Sequence, residues 1–143
     1  MRLIYALCIL FMLMLGCSSS NKLDDEVLKS VIYDYLLKNI GDPGLKFVTN
    51  KDNADSKFIR RSIERSNRRF EYIDYKSVIH TPSGYQSLSG KPVAVLELQS
   101  ISERKFHISY DVAPEGGSSR VVSLSYTNSK WHISNPDAPW AVQ

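Results

Sequence analysis

Lys105 to Val112, KFHISYDV, alternates residue by residue. Phe106, Ile108, Tyr110 and Val112 fall on one face, and Lys105, His107, Ser109 and Asp111 on the other. A period of two predicts a strand with one face on a core and the other in water. A lone strand of this kind buries nothing, so the rest of the chain must supply neighbours on its edges and a cover for its apolar face. Strand neighbours are read at Glu71 to Ile79, Val93 to Ile101, Arg120 to Thr127 and Lys130 to Ser134. Turns fall at Ser102-Glu103-Arg104, Pro114 to Gly117 and Asn128-Ser129. Such short connections imply antiparallel pairing.

The cover is a helix from Asp24 to Ile40. Asp24 caps it, Asp25 and Glu26 favour its first turn, and Gly41 and Pro43 stop it. Val27, Leu28, Val31, Ile32, Tyr35, Leu36 and Ile40 recur at helical spacing as its apolar stripe. Residues 41 to 53 read as loop. Ala54 to Asn67 reads as a second helix capped by Asn53, with Phe58, Ile59, Ile63 and Phe70 inward, or else as an edge strand. The expected architecture is α+β: N-terminal helices packed on an antiparallel meander of four or five strands. The covered face would carry Leu96, Leu98, Phe106, Ile108, Tyr110, Val122, Leu124, Tyr126, Trp131 and Ile133. This order resembles the cystatin-like and NTF2-like rolls, and SYTNSKWHIS, residues 125 to 134, is similar to the closing hairpin of NTF2-like domains. That fold hosts enzymes, binding modules and scaffolds alike, so it selects no activity.

The first segment does not belong to this roll. Met1 and Arg2 give a small positive start, and Leu3 to Leu15 is an unbroken apolar run. It is shorter than the roughly 20 residues of a spanning helix and fits a cleavable secretory signal. Leu13-Met14-Leu15-Gly16-Cys17 resembles the lipobox of bacterial lipoproteins, with Met14 and Leu15 where that family more often has leucine and a small residue. The resemblance implies removal of residues 1 to 16 and diacylglycerol on the Cys17 thiol. Residues 17 to 23 become a lipidated tether, and 24 to 143 a single domain. Each acyl CH₂ in lipid contributes about 0.8 kcal/mol, so several chains hold firmly. Ser18 resembles the sorting pattern for the outer membrane, which implies a bacterial envelope protein facing the periplasm.

Cys8 and Cys17 are the two cysteines. With one discarded and the other acylated, no thiol remains for a disulfide, a zinc site or a nucleophile. The domain must then fold on its core alone. Eighteen lysines and arginines stand against fifteen acids, which selects no class of partner.

The hairpins suggest an outer row of Gln99, His107, Ser125 and His132. A serine between histidines hints at a hydrolase, but imidazoles two strands apart sit about 10 Å from each other and share no metal. No acid is positioned to orient a histidine, and there is no nucleophile elbow. Inside the cone, Tyr35, Tyr72, Asp74 and Tyr110 are the candidates for an enzyme, with Glu97 on the other sheet face. The chain shows no nucleotide loop, metal-ligand spacing or repeat, so no cofactor is expected.

KFIRRSIERSNRRF is the most unusual mature segment. Lys57, Arg60, Arg61, Arg65, Arg68 and Arg69 against Glu64 concentrate positive charge within 13 residues. Such a stripe suits an acidic protein surface or anionic headgroups; an exported anchored protein seldom meets nucleic acid. The tail NPDAPWAVQ carries Trp140, which either packs back on the roll or anchors a partner. The expected function is a non-enzymatic domain that binds an envelope protein through Arg60, Arg61, Arg65, Arg68, Arg69 and Trp140. The alternative is a ligand carrier or enzyme using the cone.

Overall fold

The computed structural model describes residues 25–41, 44–66, 70–113 and 116–142. The signal segment, Cys17 and the tether lie outside the described residues, as do Arg68 and Arg69. The fold is α+β, with two helices on a curled mixed sheet.

Helix α1 covers residues 25–39. Its stripe is turned relative to the expectation. Leu28, Ile32, Tyr33, Leu36, Leu37 and Ile40 are buried, whereas Val27 is exposed and Val31 and Tyr35 are half-buried. The second helix explains the turn, because Tyr33 donates its hydroxyl to Asp55 at that helix's start. Each of these aliphatic side chains contributes roughly 1.5–3 kcal/mol by leaving water.

Strand β1, Phe47–Asn50, corrects the reading of 41–53 as loop. It pairs in parallel with β5, Val93–Ser102, on one edge and with β2, Glu71–Tyr72, on the other. Between β1 and β2 lies α2, Ser56–Arg65. Phe58 and Ile59 are buried and Ile63 half-buried against the core, and Phe70 is buried just after the helix. Asn53 does not cap α2. Asp55 occupies that position without making a capping bond. Asn53 instead takes a positive φ of 51° and sends its side chain to Tyr72 and Asp74.

The strand expected over Glu71 to Ile79 stops at Tyr72. Asp74 accepts from the Lys76 N–H and starts a single 3₁₀ turn, Tyr75–Ser77. A hairpin follows, β3 Ile79–Thr81 and β4 Gly84–Gln86. Tyr85 of this hairpin packs with Val93 and Val95 on the face of the sheet away from the helices. Gly84 has φ +145°, and a Cβ there would meet the Val112 carbonyl oxygen at 2.5 Å, so only glycine fits.

The expected meander is present as β5, β6 (Lys105–Ala113), β7 (Gly116–Thr127) and β8 (Lys130–Ile133), all antiparallel. Asn128 and Ser129 both have positive φ, 51° and 60°, as a two-residue hairpin turn of the favoured twist requires. Ser102 pairs Lys105, and the register shift at Ile101 restores Gln99 opposite His107. Strand β9, Ala141–Val142, joins the edge of β7 at Ser118 and Ser119. The helix-covered face carries Leu96, Leu98, Phe106, Ile108, Tyr110, Val122, Leu124, Trp131 and Ile133, as the alternation implied. Tyr126 departs from it, with 55% of its surface exposed at the sheet's end.

Candidate functional site

The basic flank of α2 is divided between two roles. Lys57 pairs with Glu26, and Arg65 pairs with Asp34 at 2.9 Å while also donating to the Ser30 hydroxyl. These two cations hold α2 beside α1 and are not the free surface that the sequence suggested. Arg60 and Arg61 remain exposed. Arg60 lies over the Tyr72 ring at 4.5 Å, and Arg61 has no acidic partner among the described residues. Arg68 and Arg69 continue the run outside the described residues.

Trp140 packs back on the sheet. Its half-buried ring meets Tyr110 edge-on at 5.5 Å and lies 4.7 Å from the Arg120 guanidinium. Arg120 also reaches the Tyr35 ring and donates to the Pro136 carbonyl, which accepts the Tyr35 hydroxyl as well. Asn135 bonds the Ser123 N–H and the Val121 carbonyl. The tail is therefore fixed by side chains spread across the whole sequence. Burial shifts Arg120 below its usual range, and Asp137 opposes that shift.

The outer row does not assemble. Gln99 opposes His107 and Ser125 opposes His132, with 2.9 Å between the Ser125 Oγ and a His132 ring nitrogen. But His107 lies opposite Val121, not Ser125, because the β6–β7 connection is not symmetric about the two glycines. Four residues along β7 separate the two halves of the row, about 13 Å. The Ser125–His132 pair stands exposed, with Thr127 as its neighbour.

The cone candidates also fall apart. Tyr72 donates to Asn50 and Asn53, and Tyr35 to Pro136. Asp74 caps the 3₁₀ turn, and the Lys76 N–H followed by the Asn53 amide lowers its pKa. Glu97 is exposed on the opposite face. Among the described residues no cluster of histidine, cysteine, aspartate and glutamate is placed to hold a metal.

A groove of about 620 Å³ that no motif in the chain announces opens at one end of the roll. The starts of both helices, the β5–β6 turn and Trp131 of β8 surround it. Leu28, Leu98, Phe106 and Trp131 make its apolar walls. Lys29 and Asp55 line it, joined at 2.9 Å, with Tyr33 donating to the same carboxylate at 2.8 Å. Burial raises the Tyr33 pKa, reinforced by Asp55, so the phenol stays protonated. Burial alone would lower Lys29, but Asp55 and then Asp25 outweigh it, and the ammonium persists. Arg104 crosses the Trp131 ring at 5.2 Å. The signal for this site in the sequence was faint: an aspartate at a helix start and an arginine in a turn.

A second hollow adjoins the first through Arg104 and Trp131, lined by Val27, Val31, Tyr126 and Lys130. No helix among the described residues is long and apolar enough to cross a membrane. No family model matches the chain, and neither a curated protein nor a solved structure matches it.

Proposed function

We propose that the chain is a lipid-anchored bacterial envelope protein whose single domain binds a partner protein and catalyses no reaction. The lipobox resemblance at Leu13 to Cys17 supports acyl chains on Cys17 after removal of residues 1 to 16. Ser18 supports a place in the outer membrane, facing the periplasm. The order of helices followed by the β5–β8 meander supports kinship with cystatin-like and NTF2-like rolls, to which parallel β1 is an addition.

The observation that carries the binding reading is the exposed pair Arg60 and Arg61 on α2, left over after α1 has claimed Lys57 and Arg65. Two exposed arginines, followed in the sequence by Arg68 and Arg69, suit an acidic protein surface. The partner is a component of a secretion, conjugation or envelope-assembly machine, or a toxin that the lipoprotein neutralises. Arg65 supports this face by holding α2 beside α1, whereas Trp140 belongs to a separate cluster with Tyr110 and Arg120.

Crosslinking in intact cells tests it. Arg60→Glu combined with Arg61→Glu is expected to cut capture of the partner by about tenfold, with the melting temperature nearly unchanged. Arg65→Glu acts differently, lowering the melting temperature by setting two acids together. Undiminished capture by the double variant would remove this face from the function. The groove beneath Trp131 favours a second reading, a carrier of a small amphiphile whose anionic end meets Lys29 and Arg104. Lys29→Ala would then weaken uptake that the Arg60, Arg61 variant leaves intact.

A further inference from the structure

The hairpin tips and the helix starts meet at one end of the roll. Lining residues of the two adjoining hollows place Asp25, Val27, Leu28 and Lys29 of α1 beside Arg104 of the β5–β6 turn and Lys130 of the β7–β8 hairpin. We propose that this end is a membrane-docking surface. Val27, Ile101 and Tyr126 enter the interfacial zone of the bilayer, and Arg104, Lys105 and Lys130 lie on anionic headgroups. The inference rests on the lipid anchor proposed above and adds the orientation of the domain beneath it.

Three independent features converge here. The first is reach. Cys17 and Asp25 are eight residue steps apart, and eight extended steps span at most about 28 Å. Chains anchored at Cys17 thus keep the start of α1 close to the lipid, and this end of the roll is where α1 starts.

The second is exposed apolar surface. Among the described residues, the exposed large hydrophobics are Val27, Ile79, Leu88, Ile101, Tyr126 and Val142. Half of them, Val27, Ile101 and Tyr126, sit at this end, and Tyr126 rests on Trp131 with 5.2 Å between ring centroids. Tyrosine and tryptophan favour the headgroup level, where an apolar ring and a polar edge are both satisfied.

The third is charge. Of the acids here, Glu26 pairs with Lys57, while Asp25 at 3.8 Å shares Lys29 with Asp55, which Lys29 meets at 2.9 Å. Arg104, Lys105 and Lys130 stand on the hairpin tips beside Glu103, and Arg104 shares the groove with Asp25 and Asp55, so Asp25, Glu26, Asp55 and Glu103 against Lys29, Lys57, Arg104, Lys105 and Lys130 leave one net positive charge at this end. Long cationic side chains beside apolar ones can bury their stems and keep their charges at the headgroups. Each such cation near an anionic leaflet strengthens adsorption, and salt weakens it.

The chain's two tryptophans report the two ends separately. Trp131 is at the docking end. Trp140 rests on Tyr110, five residues along β6 from Lys105, about 17 Å away. The full lipidated chain is reconstituted in phosphatidylethanolamine–phosphatidylglycerol vesicles carrying brominated acyl chains. With Trp140→Phe, Trp131 emission is expected to fall by about half or more; with Trp131→Phe, Trp140 emission should change by less than about a tenth. Adding Ile101→Ser and Tyr126→Ser, both exposed, to the Trp140→Phe chain should restore most of the emission. Equal quenching of both tryptophans, or none of Trp131, would overturn the docking surface while leaving the anchor intact. Absence of acyl mass on the Cys17 peptide would overturn both. A blue shift of Trp131 on concentrating the Cys17→Ser chain without lipid would assign this end to a second copy, and so would also overturn it.

Discussion

The two halves of strand β5 live in different surroundings. Val93 to Leu96 are all buried, none with more than 1% of its surface exposed. From Glu97 onward the strand is half-buried at Leu98 and otherwise exposed. The first half is sandwiched, with the helices on one face and Tyr85, Phe47, Ile73, Tyr75 and Val78 on the other. The second half has the helices alone, and its outer face is open among the described residues. One end of the sheet is thus a core and the other ends in the groove and the hairpin tips. Rigidity and binding surface are separated along a single strand.

Substitution along β5 gives the largest expected effect. Leu96→Ala should cost about 3 kcal/mol, because its site is enclosed and cannot collapse readily. Leu98→Ala, two residues on and lining the groove, should cost about 1 kcal/mol. Urea unfolding of both variants measures the difference. Equal losses would mean that the groove end is as tightly packed as the sandwiched end.

The hairpin that covers the first half supplies the next test. At Gly84 an alanine Cβ would fall 2.5 Å from the Val112 backbone oxygen, at a φ of +145° that side chains disfavour. Backbone atoms on both sides cannot give way cheaply. Gly84→Ala should therefore cost about 2 kcal/mol, with hydrogen exchange rising in β3, β4 and Val93 to Val95 ahead of the helices. A uniform rise would show that hairpin and core open as one unit.

The same contrast explains what was legible in the sequence. Lys105 to Val112 could be read because its strand is covered on one face, which turns burial into alternation. The stripe of α1 was legible for the equivalent reason, although its centre moved toward Tyr33 and Leu37 once α2 packed there. Phe47 to Asn50 was not legible. Four residues enclosed on both faces show no period, and a parallel strand has no tight turn to announce it. Glu71 to Ile79 has strand-like composition, but Asp74 uses its carboxylate on the Lys76 N–H and closes a turn instead. The charge on α2 was plain, whereas its pairing was not, since Lys57 and Glu26 are 31 residues apart. The groove was less visible still, because its walls come from five elements and no segment carries its pattern.

The smallest expected effect lies on the outer face, where the two environments of the sheet meet. Asp111 stands opposite Val95 and Gly117, and a Cβ on Gly117 would collide with its carboxylate. Burial raises its pKa first and the nearby Glu97 adds to the rise, while Lys51 and His107 oppose it less strongly. The folded carboxyl therefore holds its proton more tightly than the unfolded one. Folding takes up protons between the two titrations, so this residue's contribution falls as pH climbs from about 4 through the raised value. Asp111→Asn keeps the shape and removes the titration. It should melt with the parent chain at pH 3 and above it at pH 7, by differential scanning calorimetry. A variant that melts lower at pH 7 would mean that the ionised carboxylate is supported at this boundary, and that the sandwiched half of the sheet ends before Asp111.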